Sequence, residues 1–520
     1  MHRCLSVLEI LELICSHLDG LQRWPALAAL ARTCRSFSGP ALCVLWQTHL
    51  SLAPFLKLMP ADLIRKSADF PRKWNLIRPI TVSDWDRPNV FAPRVRELVL
   101  QSQDWNQVAD IFPILSACAP LGVIFPNLRS LTCYIMSVEA ANLPSIRSFF
   151  SLTLQEIKII CRWNVTSISL ISALPITCPT VKHVSVSCTS SPGGLGRTTS
   201  LFVKGLHYLV SLSLGGAECN SAVISHLGQL STLTKLELVS LPDIFSFPPT
   251  STADLFPNLR TLSFSATEVV PVITFFSMCS DTPFALVFVT FKSHPTAADT
   301  ERFFHILKLG RACATLQSLT LAPSYFASAP PDTANYILSG ASLHNLAHFR
   351  ALEHFNLWTL ALDVDDTAVA NLVASWPRLK TLHLVAMTIA MGQADPKTTL
   401  QSLWTIAKSC PDLTSLFLQI DATHIPTTHP IRVVQESLDE LNVGLSTITE
   451  PTAVARYLSS LFPNLTNITT RYDGGTSEDD DEDDEPNPDG LGRRELWKQV
   501  ESQIPHFVAA RREEVAWGSL

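Results

Sequence analysis

Asp363, Asp365 and Asp366 set three carboxylates within four residues, the density that a divalent-cation site or an acid pair would need. They stand directly before Thr367, Ala368, Val369, Leu372 and Val373, whose apolar members fall at helical spacing. Carboxylates at such a place accept free backbone amides and favour the helix dipole, so these residues read as a helix cap. His344, His348 and His354 lie nearby, but their spacing fixes no ligand set and no nucleophile stands beside them. Gly193-Gly194-Leu195-Gly196-Arg197 lacks the following Lys-Ser/Thr of a phosphate-binding loop and sits in a Ser/Thr/Pro-rich stretch, so it reads as a loop. GxSxG, HExxH and GxGxxG are absent, and no catalytic residue, metal ligand or cofactor is assigned.

The 13 cysteines form no CxxC pair and no Cys/His cluster at zinc spacing, and they read as buried thiols of a reducing compartment. Glu9 and Glu12 interrupt the first apolar run where a secretory signal needs an uncharged one. Residues 111–128 carry no charge, but Pro113, Pro120 and Pro126 argue against a membrane span. The formal net charge is -7, with 46 acidic residues against 39 basic ones, and residues 478–485 are all acidic, so the remainder is close to neutral. No basic stripe is present to follow a phosphate backbone, which removes nucleic acid as the main ligand. Function must then come from surfaces, and the question becomes which elements build them.

An L-x-x-L-x-L pattern recurs along the chain, clearest at Leu128-Leu131-Cys133, Leu259-Leu262-Phe264, Leu316-Leu319-Leu321, Leu379-Leu382-Leu384 and Leu413-Leu416-Leu418. Phe125-Pro126-Asn127-Leu128 returns as Phe256-Pro257-Asn258-Leu259 and as Phe462-Pro463-Asn464-Leu465. Weaker copies start at Val95, Leu154, Val181, Leu209, Leu233, Leu286, Leu352 and Leu438. A period in the twenties, with one short alternating strand per copy, predicts parallel strands stacked side by side, each followed by a return segment. Helical spacing predicts such returns near residues 221–230, 300–309, 365–376, 399–410 and 452–462.

Residues 93–472 therefore resemble the leucine-rich-repeat family, although Met136, Thr267, Ser324 and Met387 occupy the place where that family carries a regular Asn or Cys. The implied fold class is α/β, a solenoid forming a parallel-strand horseshoe with outer helices. Its concave face would carry the strand residues that point away from the core: Ser130, Thr132, Thr261, Ser263, Ser318, Thr320, His354, Asn356, Thr381, His383, Ser415, Phe417, Glu440 and Asn442. That set is polar and hardly charged, and suits an uncharged protein segment with Phe417 as an anchor.

The first 48 residues follow a different pattern. Leu8, Leu11, Cys15 and Leu18 form a helical stripe with Ile10 and Ile14 beside it; a second helix can start at Pro25 and bury Leu27, Leu30, Ala31 and Cys34. A third can start at Pro40 and bury Leu42, Leu45 and Trp46. Residues 5–19, then Leu30-Ala31-Arg32-Thr33-Cys34-Arg35-Ser36-Phe37, then Ala41-Leu42-Cys43-Val44-Leu45-Trp46 resemble an F-box, with Leu8 standing where that family usually has proline. The resemblance extends to F-box proteins of higher fungi, and it implies a small three-helix F-box-like domain ahead of the solenoid. Docking would be onto a Skp-type adaptor of a cullin-RING ubiquitin ligase through Leu8, Ile10, Leu11, Ile14, Leu18, Leu30 and Trp46, with the repeats binding an unknown protein substrate in the cytoplasm or nucleus. The alternative is a helical cap on a repeat scaffold without a ubiquitin role. The remaining expectations are an ordered, irregular collar over 49–92, a disordered acidic linker over 473–490 and an amphipathic C-terminal helix over 491–520 bearing Leu496, Trp497, Val500, Ile504, Phe507 and Val508.

Overall fold

Alternation along each short strand decides which side chains can leave water. Leu131, Cys133 and Ile135 are buried while Ser130, Thr132 and Tyr134 between them are not, and Leu382 and Leu384 alternate in the same way with Thr381 and His383. The computed structural model of the protein describes residues 7–18, 23–67, 73–136, 140–162, 164–188, 196–216, 219–241, 255–324, 333–387, 396–426, 431–471 and 488–518. The chain forms two compact units, Met1–Val239 and Ser240–Leu520.

The first unit begins with α1 (Leu8–Ser16), α2 (Arg23–Leu30) and α3 (Arg35–Gln47). Cys15, Leu27, Ala41 and Val44 form their core, with Leu18, Leu30, Ala31 and Leu45 packed around it. The third helix starts at Arg35 and not at Pro40, because Cys34 in extended conformation begins it, leaving Pro40 buried inside. There Pro40 forfeits one helical hydrogen bond. The longer helix turns Ala41 and Val44 into the core, whereas Trp46 leaves it and packs on Phe91 at 4.7 Å between ring centres and on His49 at 5.0 Å.

Without an intervening residue, α3 passes into the strand Thr48–His49, which pairs in parallel with Glu97–Leu98. Parallel pairing continues through Ser130–Ile135, Glu156–Cys161, His183–Cys188, Ser211–Gly215 and Lys235–Leu238. Between the first two strands, Ile64–Lys66 pairs antiparallel with Trp74–Leu76, and Arg78 grips Asp84 through two bonds of 2.7 and 2.8 Å while holding Asp62 at 2.8 Å. That clamp, with Phe55 between Trp85 and Phe125, orders the stretch without a repeat of its own.

In the second unit the parallel order is Thr261–Ala266, Leu286–Phe291, Ser318–Pro323, His354–Thr359, Thr381–Ala386, Ser415–Leu418, Glu440–Gly444 and Asn467–Thr470. The returns include the helices Ala297–Leu309, Asp366–Val373, Leu400–Ser409 and Pro451–Leu461, each burying one apolar side. The architecture in each unit is that of an α/β repeat solenoid. One expected register is corrected: the copy assigned to Leu286 starts at Phe284. Phe284, Val287 and Val289 are buried, whereas Leu286 is 37% exposed and pairs with Thr261 and Ser318 on the opposite face. Both readings satisfy the apolar pattern over residues 284–291, and Pro283 ahead of Phe284 does not separate them.

Hydroxyls at the start of several copies tie them to the copy before. Thr153, Thr232 and Thr315, each one residue before a repeat's first Leu, donate to the carbonyls of Leu128, Leu209 and Phe284, the first residues of the preceding copies, at 2.8, 2.7 and 2.7 Å. Gln435 does the same for Leu413 at 2.7 Å. The C-terminal helix Pro488–Gly518 packs back on Pro451–Leu461 and Asn467–Thr470, burying Trp497, Val500, Ile504 and Val508. The acidic residues 478–485 lie outside the described residues. No helix among the described residues is long and apolar enough to cross a membrane, and residues 111–128 hold only the short helix Phe112–Ala117.

Candidate functional site

Two surfaces concentrate apolar side chains that the fold does not use. On α1, the buried stripe is Leu11 and Cys15, and the rest of the helix is conspicuously apolar: Leu8 is 55% exposed, Ile10 37%, Leu13 59% and Ile14 40%. At about 100° per residue, Ile10, Leu13 and Ile14 share one face of the helix while Leu8 lies on the other flank of the buried stripe. Of the residues expected to meet an adaptor, Leu8, Ile10 and Ile14 reach solvent, Leu11 is buried, and Leu18 and Leu30 pack around the three-helix core. Trp46 belongs to a separate contact with Phe91 and His49. Leu13 was not among the expected residues, although plotting α1 as a helix places it beside Ile10.

The second surface is the sheet face of unit Ser240–Leu520 that points away from the core. One row runs Thr261, Leu286, Ser318, His354, Thr381, Ser415, Glu440 and Asn467, and the next runs Ser263, Phe288, Thr320, Asn356, His383, Phe417, Asn442 and Thr469. All the outward residues expected in this unit lie on these rows. Polar side chains join the strands: Asn356 donates to Thr320 at 3.2 Å, His354 Nδ1 lies 3.0 Å from the Thr381 hydroxyl, and Ser415 donates to Glu440 at 3.1 Å. His383 Nε2 lies 3.0 Å from the Ser415 hydroxyl, and burial depresses the His383 pKa while the nearby Glu440 charge opposes that shift. The imidazole is thereby biased toward its neutral form.

Aromatic residues stand out against this polar lattice. Trp358 is 37% exposed and meets Phe417 edge-on at 6.4 Å, while His383 meets the same ring at 6.3 Å; Phe288 is 38% exposed on the same face. Trp358 and Phe288 escaped the sequence reading for different reasons. Trp358 follows the last repeat position by one residue, and Phe288 lies on one of the weaker copies, facing outward whether that copy starts at Phe284 or at Leu286. In unit Met1–Val239, Ser130 and Thr132 also face outward, but their rows include Glu97, Glu156, Lys158, His183, Lys235 and Glu237. That face is charged, unlike the set read from the clearest repeats, because the weaker copies supply the charges.

The residues considered for chemistry serve structural ends. Asp365 accepts the Ala368 amide at 2.8 Å as a cap, Asp363 pairs with Lys397 at 2.7 Å, and Asp366 accepts the Thr399 amide at 2.8 Å and its hydroxyl at 2.7 Å. Asp363, Asp365 and Lys397 border a cleft of about 470 Å³ lined also by Gly340, Ala341 and His344. Among the described residues, no three His, Cys, Asp or Glu side chains come together as a metal site. Burial pushes the Cys178 thiol up to about 11 and those of Cys219 and Cys410 up to about 12, so they remain protonated near neutrality. Gly193, Gly194 and Leu195 lie outside the described residues.

No family model matches the chain, and no curated protein matches it. Among solved structures, the complex of Rad7 and Elc1 in yeast matches with a TM-score of 0.36 at 15% identity, covering 84% of this chain and 91% of that one. A protein from Bacteroides fragilis matches with a TM-score of 0.28 at 12% identity, covering 51% of this chain and 68% of that one.

Proposed function

We propose that the chain is a non-enzymatic substrate receptor of an SCF-type cullin-RING ubiquitin ligase, with α1 docking a Skp-type adaptor and the outward sheet faces holding the protein to be modified. The observation that carries this reading is the apolar surface of α1. A helix whose only task was to close the end of a repeat array would present polar residues outward, whereas Leu8, Ile10, Leu13 and Ile14 all remain accessible. Such a surface suits a partner that covers it, and it lies on the segment that resembles an F-box. Under this reading the chain supplies proximity and orientation, and the transfer chemistry belongs to other subunits.

The substrate side would be the face bearing Phe288, Trp358 and Phe417. Aromatic anchors within a hydrogen-bonding lattice are the composition of protein-binding hot spots. The test is co-precipitation of a Skp-type adaptor and cullin with the full chain and with the double variant Ile10→Glu/Leu13→Glu. Both positions are exposed, so the variant keeps its fold and melting behaviour. Loss of both partners from the folded variant supports docking through α1. Capture by neither protein, with both folded, favours the scaffold without a ubiquitin role.

A further inference from the structure

Cys161 and Cys188 occupy paired positions on adjacent parallel strands, at their C-terminal ends, and both point to the inward side. Their sulfurs lie 3.3 Å apart. Adjacent strands run about 4.8 Å apart, within the Cα separation of roughly 4.4–6.8 Å that a disulfide spans, so the pairing of these two positions is compatible with a disulfide between them. The two thiols also differ in access: Cys161 is fully buried and Cys188 is partly exposed. Other cysteines that reach solvent, Cys43 and Cys118, share no such contact with another sulfur among the described residues.

We propose that Cys161 and Cys188 form a modification site, a dithiol that a small disulfide oxidant such as oxidised glutathione converts to an intrachain disulfide tying two neighbouring repeats together. The exposed member reacts first. The Cys188 thiol loses its proton and its sulfur attacks one sulfur of oxidised glutathione, forming a mixed disulfide and releasing one reduced glutathione. The Cys161 thiol then loses its proton and attacks the Cys188 sulfur, displacing the second reduced glutathione and closing the protein disulfide. Two protein thiols are oxidised, one glutathione disulfide is reduced to two thiols, and no further reagent is required. Buried Cys161 has no route to the oxidant except through Cys188, so the order of attack follows from accessibility.

The site is where a bond would matter to the local structure. Three residues after Cys161, Asn164 caps the helix Val165–Ser172 by accepting the Ser167 amide at 2.7 Å. Oxidation replaces the thiol contact beside this corner with a covalent link between repeats.

The experiment treats the full-length folded protein with a graded ratio of oxidised to reduced glutathione, traps free thiols by alkylation and maps every cysteine peptide by mass spectrometry. The expected result is a cross-linked peptide pair containing Cys161 and Cys188, reversed by dithiothreitol, while Cys43 and Cys118 carry glutathione singly. Cys161→Ala should stop at a glutathione adduct on Cys188, and Cys188→Ala should leave Cys161 free. Cys161 and Cys188 recovered as free thiols when Cys43 is fully modified would overturn the proposal, as would a stable Cys188 adduct without the cross-link in the unaltered protein. The unaltered protein decides the matter even if a buried alanine variant does not fold.

Discussion

Leu382 and Trp358 show how the repeat divides labour between neighbouring residues. Leu382 is 1% exposed and pairs with Phe355 and Leu416, themselves buried. Leu382→Ala should cost about 2–5 kcal/mol through lost transfer energy and the cavity left behind, read as a lowered denaturant midpoint. Trp358→Ala should leave that midpoint nearly unchanged, and under the receptor reading it should weaken substrate capture. A second residue couples stability to pH. His49 is buried, its Nε2 has no hydrogen-bond partner, and burial depresses its pKa. The unfolded chain therefore binds the proton more readily than the folded one. The resulting stability is present above the unfolded value of about 6.5 and is lost as pH falls through the depressed folded value. Thermal unfolding at successive pH values should show destabilisation on acidification, with a shallower decline in His49→Leu. At this scale most of the inward repeat residues were legible because burial and alternation agree. Leu286 was not, since its run of apolar residues satisfies two registers and only the strand pairing chooses between them.

Capping and competing helix signals explain what could be read of the elements. Asp365 was legible as a cap, since a carboxylate before an apolar helical pattern has an amide to accept, and the 2.8 Å bond to Ala368 fulfils that expectation. Asp365→Ala should cost on the order of 1 kcal/mol, with faster hydrogen exchange in the first turn of Asp366–Val373 as the direct readout. The sequence places the start of α3 too late because Pro40 is a favourable first-turn residue, and nothing local announces that the helix has already begun at Arg35. What outweighs the lost hydrogen bond is packing: only the longer helix delivers Ala41 and Val44 to Cys15 and Leu27. The face of α1 was partly legible for the opposite reason. Its apolar residues exceed what one buried stripe can hold, but sequence alone does not say which of them remain outside.

On the scale of the whole chain, stacking repeats creates a problem at the last strand, whose edge would offer unpaired backbone groups to another chain. The helix Pro488–Gly518 covers Asn467–Thr470, with Trp497 donating to the Ser446 carbonyl at 3.3 Å and Lys498 to the Ile468 carbonyl at 3.0 Å. Trp497→Ala should destabilise by about 3–5 kcal/mol, and a chain ending at Arg471 should self-associate in light scattering. The amphipathic pattern alone allowed either a cap or a partner-binding helix; burial of Trp497, Val500 and Ile504 decides for packing back. The hydroxyl bonds from Thr153, Thr232 and Thr315 were hidden for a different reason, because threonine before a strand is too common to signal a bond to the preceding copy.

The passage of α3 into its strand has a mechanical meaning. Gln47 ends the helix, Thr48 is already hydrogen-bonded into the sheet, and Trp46 is riveted to Phe91 across the junction. A flexible tether would let a protein docked on α1 sample a volume, diluting its effective concentration near any one point on the first repeats. Here the tether has zero length. Whatever binds α1 is held at one bearing relative to these strands, and its reach over their outward face is set by geometry instead of by diffusion on a leash.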